Sequence, residues 1–172
     1  EAQSAGPQKP GREAAARPLA ALEEPEALAA LLKMLASDKE PEVRGLVAQL
    51  LGEHGRKDAR PALRTALDDA HEGVRARALV ALRKLETDNP VAALRAGLKS
   101  KHADMRAGAT RLLPTLYPAA PLVPGLVTGA LVDADASVRL AALESLTRLH
   151  PADSFEPMQI AFERGPADLR AE

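Results

Sequence analysis

A short phrase recurs along the chain at a nearly constant period. In each copy an aliphatic residue is followed by Arg, and the position six residues before that Arg is Asp in three copies of five. Successive Arg residues are 31, 31, 33 and 31 positions apart. A fixed period of this size is typical of stacked helical hairpins, in which each unit buries its apolar face against the next. The pairs are Val43-Arg44, Val74-Arg75, Met105-Arg106, Val138-Arg139 and Leu169-Arg170.

Each repeat is predicted to contain two helices joined by a turn. A short apolar helical pattern, such as residues 25–35, precedes each turn, and a second pattern follows the aliphatic residue and Arg. Apolar positions in the second helices recur at i, i+4 and i+8, on one face of a helix. A small residue at the middle position lets neighbouring helices approach closely. The predicted core columns are Val43/Val74/Met105/Val138, Val47/Ala78/Ala109/Ala142 and Leu51/Leu82/Leu113/Leu146.

Composition favours helices over strands. Apolar residues make up 46% of the chain but aromatic residues only 2%, so the core must be built from Ala, Leu and Val. Ala and Leu have high helix propensity and β-branched residues are sparse, so we predict an all-α fold. The net charge of -1 excludes a global field that would draw the chain to nucleic acid or to an anionic membrane. The absence of Cys excludes disulfides and thiolate sites, and no apolar run is long enough to cross a bilayer, so we expect a soluble protein.

The spacing from Asp to the aliphatic residue and Arg resembles that of the HEAT repeat family. Asp38, Asp69 and Asp133, each followed by Val and Arg at the expected positions, fit the pattern fully, and the resemblance covers about residues 25 to 172. It implies a right-handed α-solenoid of stacked two-helix repeats. Ser100 and Arg164 stand where the family has Asp, so a uniform row of Asp residues is not expected in the third and fifth repeats.

The period also sets the predicted boundaries. Residues 1–24 have the composition of a flexible leader, within which residues 12–24 are predicted to form a capping helix broken by Pro18. Prolines clustered in residues 112–127 are predicted to end the preceding helix early and to bend the array. Tyr117, in that segment, either contacts a partner or only covers the connection. The HEAT-like array 25–172 divides into repeats at about 25–55, 56–87, 88–117 and 118–150, with a partial repeat at 151–172.

Both ends leave alternatives open. The first residue is Glu, so this start is either the mature end left by signal-peptide removal or the edge of a longer sequence. A cytoplasmic or an exported, periplasmic location in a bacterium is left open. At the other end, an unpaired first helix would expose Phe155, Ile160 or Phe162. We therefore expect either that the solenoid continues or that a cap or partner covers this end.

The repeated Asp and Arg residues are interpreted as structural. An Asp in the turn accepts hydrogen bonds from free N–H groups of the next helix, while Arg reaches adjacent turns with several donors. Catalysis would need one special copy, whereas these residues are iterated along the chain. The predicted turn and ladder residues are Asp38, Arg44, Asp69, Arg75, Arg106, Asp133 and Arg139.

No motif in the sequence points to catalysis or to a cofactor. The chain has no GxGxxG, GxxxxGK[ST], HExxH or GxSxG sequence. His71 and His102 share a column one repeat apart, but no Cys or carboxylate set completes a tetrahedral site around them, so no metal is predicted. We therefore predict a protein that is not an enzyme and that uses no cofactor.

The outward columns of the second helices are the predicted binding surface, because second helices line the concave side in the family. By column count these positions carry a small excess of positive charge, although an ordinary solvated face is the alternative interpretation. The predicted partner-binding residues are Arg77, Lys84, Arg111, Arg148, Gln49 and Glu144.

Three functions are weighed for this surface. The first is a scaffold whose concave face binds a partner protein or peptide. The second is nucleic-acid binding in a weakly basic groove, as in HEAT-like DNA glycosylases, which the net charge and the scarcity of aromatic residues disfavour. The third is a role similar to that of the HEAT-like phycobilin lyases, for which no bilin spectral shift is expected.

Overall fold

A computed structural model describes residues 8–89, 91–149 and 159 of the chain. The described residues form nine α-helices and no strand, so the all-α prediction is confirmed. Two 3₁₀ turns, Lys57–Ala59 and Ala130–Val132, precede α4 and follow α8. The helices are α1 (Lys9–Ala21), α2 (Pro25–Ser37), α3 (Pro41–Glu53), α4 (Arg60–Ala66), α5 (Glu72–Leu85), α6 (Ala92–Gly97), α7 (Ala103–Leu116), α8 (Val123–Gly129) and α9 (Ala136–Leu146).

From α2 to α9 the helices alternate as first and second members of hairpins. Pro25, Pro41 and Pro61 each lie in the first turn of a helix, where the missing N–H costs no helical hydrogen bond. Helix α3 ends at Glu53 and is followed by Gly55, which has a φ of 65°. The N–H of Arg56 then donates to the carbonyl of Leu51 at 3.0 Å, the bond that closes a Schellman motif. Local sequence therefore defines both ends of these helices.

The core lies where the period places it. All members of the three predicted core columns are buried, and the Leu column, Leu51, Leu82, Leu113 and Leu146, has no exposed surface. Because the columns contain Ala, Val and Leu, the helices pack closely without aromatic residues. The predicted core face of the second helices is thus confirmed.

The chain divides into two compact units, residues 1–93 and 94–172. In the first unit α3 and α5 pack side by side, and α2 and α4 pack against them. A Cβ atom added to Gly52 would lie 2.7 Å from both the Cα and the Cβ of Ala81. The two second helices therefore approach so closely that only glycine fits at this position of α3.

The N-terminal part of the first unit differs from the prediction. Residues 9–21 form a continuous helix, where a flexible leader containing a capping helix at 12–24 was predicted. A helix is therefore present over most of the predicted range, but Pro18 lies inside it instead of breaking it. The helix is held by tertiary contacts, because Ala16 and Ala20 are buried and α1 packs on both α2 and α3. Packing of this kind outweighs the hydrogen bond that an internal proline removes.

In the second unit α7 and α9 pack together, and α7 does not end early as predicted. Pro114 lies inside α7, which continues to Leu116. Proline has no N–H to donate to the carbonyl four residues earlier, and that carbonyl, of Thr110, instead accepts a hydrogen bond from the buried hydroxyl of Ser145 at 3.2 Å. A side chain of α9 thus replaces the lost backbone donor. Apart from residue 159, the predicted partial repeat at 151–172, with Phe155, Ile160 and Phe162, lies outside the described residues.

Candidate functional site

Arg residues at the start of the second helices form ion pairs with Asp residues in the turn of the next repeat. The Nε and Nη2 atoms of Arg44 donate to the two carboxylate oxygens of Asp69, both at 2.7 Å. Arg106 makes the same pair of bonds to Asp133, both at 2.8 Å. Two parallel charged hydrogen bonds fix the geometry of each pair as well as its charge. We call each such pair a rung.

The same residues also hold the turns of their own repeats. In each predicted Arg the Nη1 atom donates to the carbonyl oxygen six residues earlier: Arg44 to Asp38, Arg75 to Asp69, Arg106 to Ser100 and Arg139 to Asp133, at 2.8 to 2.9 Å. One carboxylate oxygen of each Asp accepts the backbone N–H two residues later, from Glu40, His71 and Asp135, at 2.8 to 2.9 Å. Every predicted turn and ladder residue therefore takes part in hydrogen bonds that hold a turn.

Ser100 occupies an Asp position but keeps part of the Asp role. Its hydroxyl accepts the backbone N–H of His102 at 3.2 Å, as the carboxylates do in the other turns. The Ser hydroxyl can hold the turn through this hydrogen bond but carries no negative charge. The departure from the family pattern therefore leaves the turn intact and changes the charge.

A further rung was missed by the sequence analysis. Arg12 of α1 donates to Asp38 through Nε at 2.7 Å and through Nη2 at 3.2 Å, so α1 takes the place of a second helix. Gly11 precedes this Arg, so the search for an aliphatic residue before Arg did not find it. The distance of 32 positions from Arg12 to Arg44 was the signal that could have found it.

The rungs lower the pKa of the ladder carboxyl groups. Hydrogen bonds from Arg106 are the main reason that the pKa of Asp133 lies below its ordinary value of 3.8. Burial alone would raise the pKa of Asp69, but the bonds from Arg44 and from the His71 N–H together lower it. The pKa of Asp38 is lowered in the same way by Arg12 and the Glu40 N–H, against the effect of burial.

These shifts predict a dependence of stability on pH. The unfolded carboxyl groups take up protons near pH 4, whereas the folded ones hold their charge to lower pH. The stabilisation is therefore fully present above pH 4 and is lost as the pH falls through the folded pKa values. We expect the urea midpoint to fall steadily below pH 4, and the Asp69→Asn variant to show a shallower fall. An equal fall of the urea midpoint with pH in the parent chain and in Asp69→Asn would show that the Asp69 carboxylate does not cause the pH dependence.

The second feature of the first unit is a pocket on the exposed side of α3 and α5. It has a volume of about 280 Å³. Ala76, Val80 and Ala81 form its apolar part, and Val80 is 50% exposed. The polar lining comes from Gln49, Glu53, Arg77 and Lys84. The structure thus brings together three of the predicted binding residues, Gln49, Arg77 and Lys84.

The polar groups of the pocket are not equally engaged. The amide of Gln49 donates to Glu53 at 2.9 Å. Neither the Arg77 side chain nor the Lys84 side chain forms a hydrogen bond or ion pair with any residue that the structure describes. The Arg77 side chain lies across α3 at Gly45, where an added Cβ would overlap Nη1 and lie 3.2 Å from Cδ. A glycine in α3 therefore makes room for a cation beside the pocket.

The other three predicted binding residues lie in the second unit and interact there. Arg111 of α7 donates to Glu144 of α9 at 2.9 Å. Arg148 donates to the hydroxyl of Thr115 at 3.3 Å. Both members of the Arg111 and Glu144 pair are about two-fifths exposed, so the pair contributes little to stability. It does cancel much of the positive charge expected on this surface.

The described residues hold no group of three His, Cys, Asp or Glu side chains placed to bind a metal ion. His71 has a structural role there, because its Nδ1 accepts the N–H of Gly73 at 3.2 Å and so caps α5. No helix in the described part of the chain is both long and apolar enough to cross a membrane.

Comparison with known families supports the repeat assignment. A sequence model of HEAT repeats matches residues 28–114, just over half of the chain. No curated protein sequence matches the chain. The matched region includes the rung from Arg44 to Asp69 and the whole pocket between α3 and α5. With its two-helix repeats and its ladder of Arg and Asp residues, the chain belongs to the HEAT repeat family.

Proposed function

We propose that the chain is a non-catalytic module that binds a partner protein on the exposed face of its second helices. HEAT repeats generally serve as protein-interaction scaffolds. The observation that carries the proposal is the pocket between α3 and α5, where an apolar surface lies beside two cations, Arg77 and Lys84. Val80 is half-exposed between these groups, so a partner that covers it would bury apolar surface beside the two cations.

A non-catalytic role is supported by the use of the charged residues. Three of the described Asp residues with lowered pKa values, Asp38, Asp69 and Asp133, belong to the rungs, where their oxygens accept hydrogen bonds from Arg and from the turn. The fourth, Asp135, caps α9 by accepting the N–H of Ser137. A catalytic carboxylate needs an oxygen available to substrate. Repeated use of the same pair along the chain favours stability as its role.

Nucleic-acid binding has less support. A basic groove would need several cations in a row that are available to phosphates. Arg111 instead pairs with Glu144, and Glu53 lies beside Lys84 in the pocket. The chain as a whole has a net charge of -1. A protein partner fits this mixed surface better.

The proposal predicts that charge reversal in the pocket removes a partner. The immobilised chain is incubated with a lysate of cells that express it, with and without nuclease treatment, at low and moderate salt, and bound proteins are identified by mass spectrometry. We expect Arg77→Glu with Lys84→Glu to lose at least one protein that the parent chain retains. The matched control is Lys33→Glu with Lys57→Glu, which makes the same charge change at exposed residues outside the pocket.

Other outcomes would redirect or overturn the proposal. Identical sets of bound proteins for the parent and the pocket variant would contradict it. Loss of binding only in Arg111→Glu with Arg148→Glu would move the site to the second unit. Loss of all bound proteins on nuclease treatment would favour the nucleic-acid alternative. Thermal unfolding of each variant shows whether the fold is kept.

A further inference from the structure

The arrangement of the α5 side chains in the pocket between α3 and α5 indicates which partner chemistry the pocket would fit. Arg77 and Lys84 are seven residues apart on α5, and both line the pocket with Val80 between them. At a rise of 1.5 Å per residue, the backbone positions of the two cations are about 10 Å apart. A cation, an aliphatic side chain and a second cation therefore start from one line along α5, and the Arg77 side chain extends from that line across α3 at Gly45.

We propose that this line binds an amphipathic helix of a partner protein, with two acidic residues seven positions apart and an aliphatic residue between them. The inference rests on the proposed function and names the chemistry of its partner. The acidic side chains pair with Arg77 and Lys84, and the aliphatic side chain packs on Val80 and enters the pocket. Helices that lie in a groove between two helices are a common mode of peptide recognition.

The spacing favours a helix over an extended segment. In a helix, residues seven positions apart lie on the same face and are about 10 Å apart, which matches the two cations. In a strand, residues on one face are two or four positions apart, at about 7 or 13 Å. An extended acidic segment would thus match the backbone spacing of the two cations less closely than a helix does.

Two cations in the pocket, unpaired within the described part of the chain, favour an acidic occupant, and one carboxylate in the lining weakens its binding. Arg77 and Lys84 have no ion-pair partner among the described residues, and Glu53 is the one acidic residue in the pocket lining. Glu53 accepts a hydrogen bond from Gln49, which keeps its carboxylate on the α3 side of the pocket. The Glu53 charge in the same lining therefore opposes the attraction of an acidic helix. Removal of the Glu53 charge should strengthen its binding.

The test uses the full chain and defined peptides. The probe is an alanine-based helix of about 15 residues, stapled so that it is helical in water, with two Glu residues seven positions apart and a Leu three positions after the first. Two controls have Lys or Gln in place of both Glu residues, and a third has Ser in place of Leu. Binding is measured by fluorescence anisotropy at two salt concentrations.

We expect the Glu peptide to bind at least about fivefold more tightly than the Gln peptide, and the Lys peptide not to bind. The Ser peptide should also bind more weakly, since it lacks the aliphatic contact. Arg77→Glu with Lys84→Glu should abolish binding of the Glu peptide, Glu53→Gln should tighten it about twofold, and Lys33→Glu with Lys57→Glu should leave it unchanged. Higher salt should weaken it.

Equal affinities for the Glu and Lys peptides, or an unchanged affinity in the Arg77 and Lys84 variant, would overturn the inference. If a lysate protein is still lost from that variant while the acidic helix fails to bind, the proposed function stands and the partner chemistry is wrong. If neither the lysate nor the peptide responds to the variant, both proposals fail.

Discussion

Replacement of Asp69 by Ala is expected to lower the free energy of unfolding by about 2 to 3 kcal/mol. Its carboxylate accepts two charged hydrogen bonds from Arg44 and one from the backbone of His71. The Arg44 side chain is only 13% exposed, so its guanidinium group would lose these acceptors with little access to water. Urea unfolding followed by circular dichroism measures the change.

Two further variants separate the parts of this effect. Asp69→Asn keeps an oxygen for the His71 N–H but loses the charge, so it should be destabilised by an intermediate amount. Asp58→Ala removes an exposed carboxylate outside the ladder and should change stability by less than about 0.5 kcal/mol. A loss in Asp69→Ala no greater than that in Asp58→Ala would show that the rung between Arg44 and Asp69 contributes nothing to folding.

The second large effect is expected at the contact between α3 and α5. Gly52→Ala would place a methyl group 2.7 Å from the Cα and Cβ of Ala81. Since the obstructing atoms include backbone, the helices must move apart, and crowding of this kind costs about 1 to 3 kcal/mol. We expect the urea midpoint to fall, although Ala is intrinsically a better helix former than Gly.

Gly108→Ala provides the matched control. Gly108 lies inside the second helix α7, and an added Cβ there meets no atom within 4 Å. The same substitution should therefore stabilise the protein by up to about 1 kcal/mol through helix propensity. Opposite signs at the two glycines would confirm that the distance between helices determines the effect. A gain in stability for Gly52→Ala would mean that α3 and α5 separate at little cost.

Much of the fold was predictable because a repeat presents the same information several times. The columns through Leu51 and Leu82 and the rung from Arg44 to Asp69 follow from the period alone. The α1 rung was missed since Gly11 breaks the local pattern, although the distance from Arg12 to Arg44 keeps the period. The search for an aliphatic residue followed by Arg was too narrow, because only the Arg of those two residues takes part in the rung.

The binding surface was less predictable because it depends on distances between helices. The column count gave Arg77 and Arg111 the same weight, yet the first has no partner among the described residues and the second pairs with Glu144. Arg111 and Glu144 lie 33 positions apart, about one repeat. A search for opposite charges at that separation would have found this pair. To predict that α7 continues through Pro114, one would need to know that Ser145 of α9 donates to the Thr110 carbonyl.

The rungs also bear on how quickly the chain can fold. Their members are 26, 25 and 27 residues apart for the rungs that end at Asp38, Asp69 and Asp133. Each rung therefore closes a segment of nearly the same length, and the loss of chain entropy on closure is nearly equal for all of them. Contacts between neighbouring repeats favour faster folding than contacts between segments that are distant in sequence. The order in which the rungs form is then set by the local stability of each repeat and not by its position along the chain.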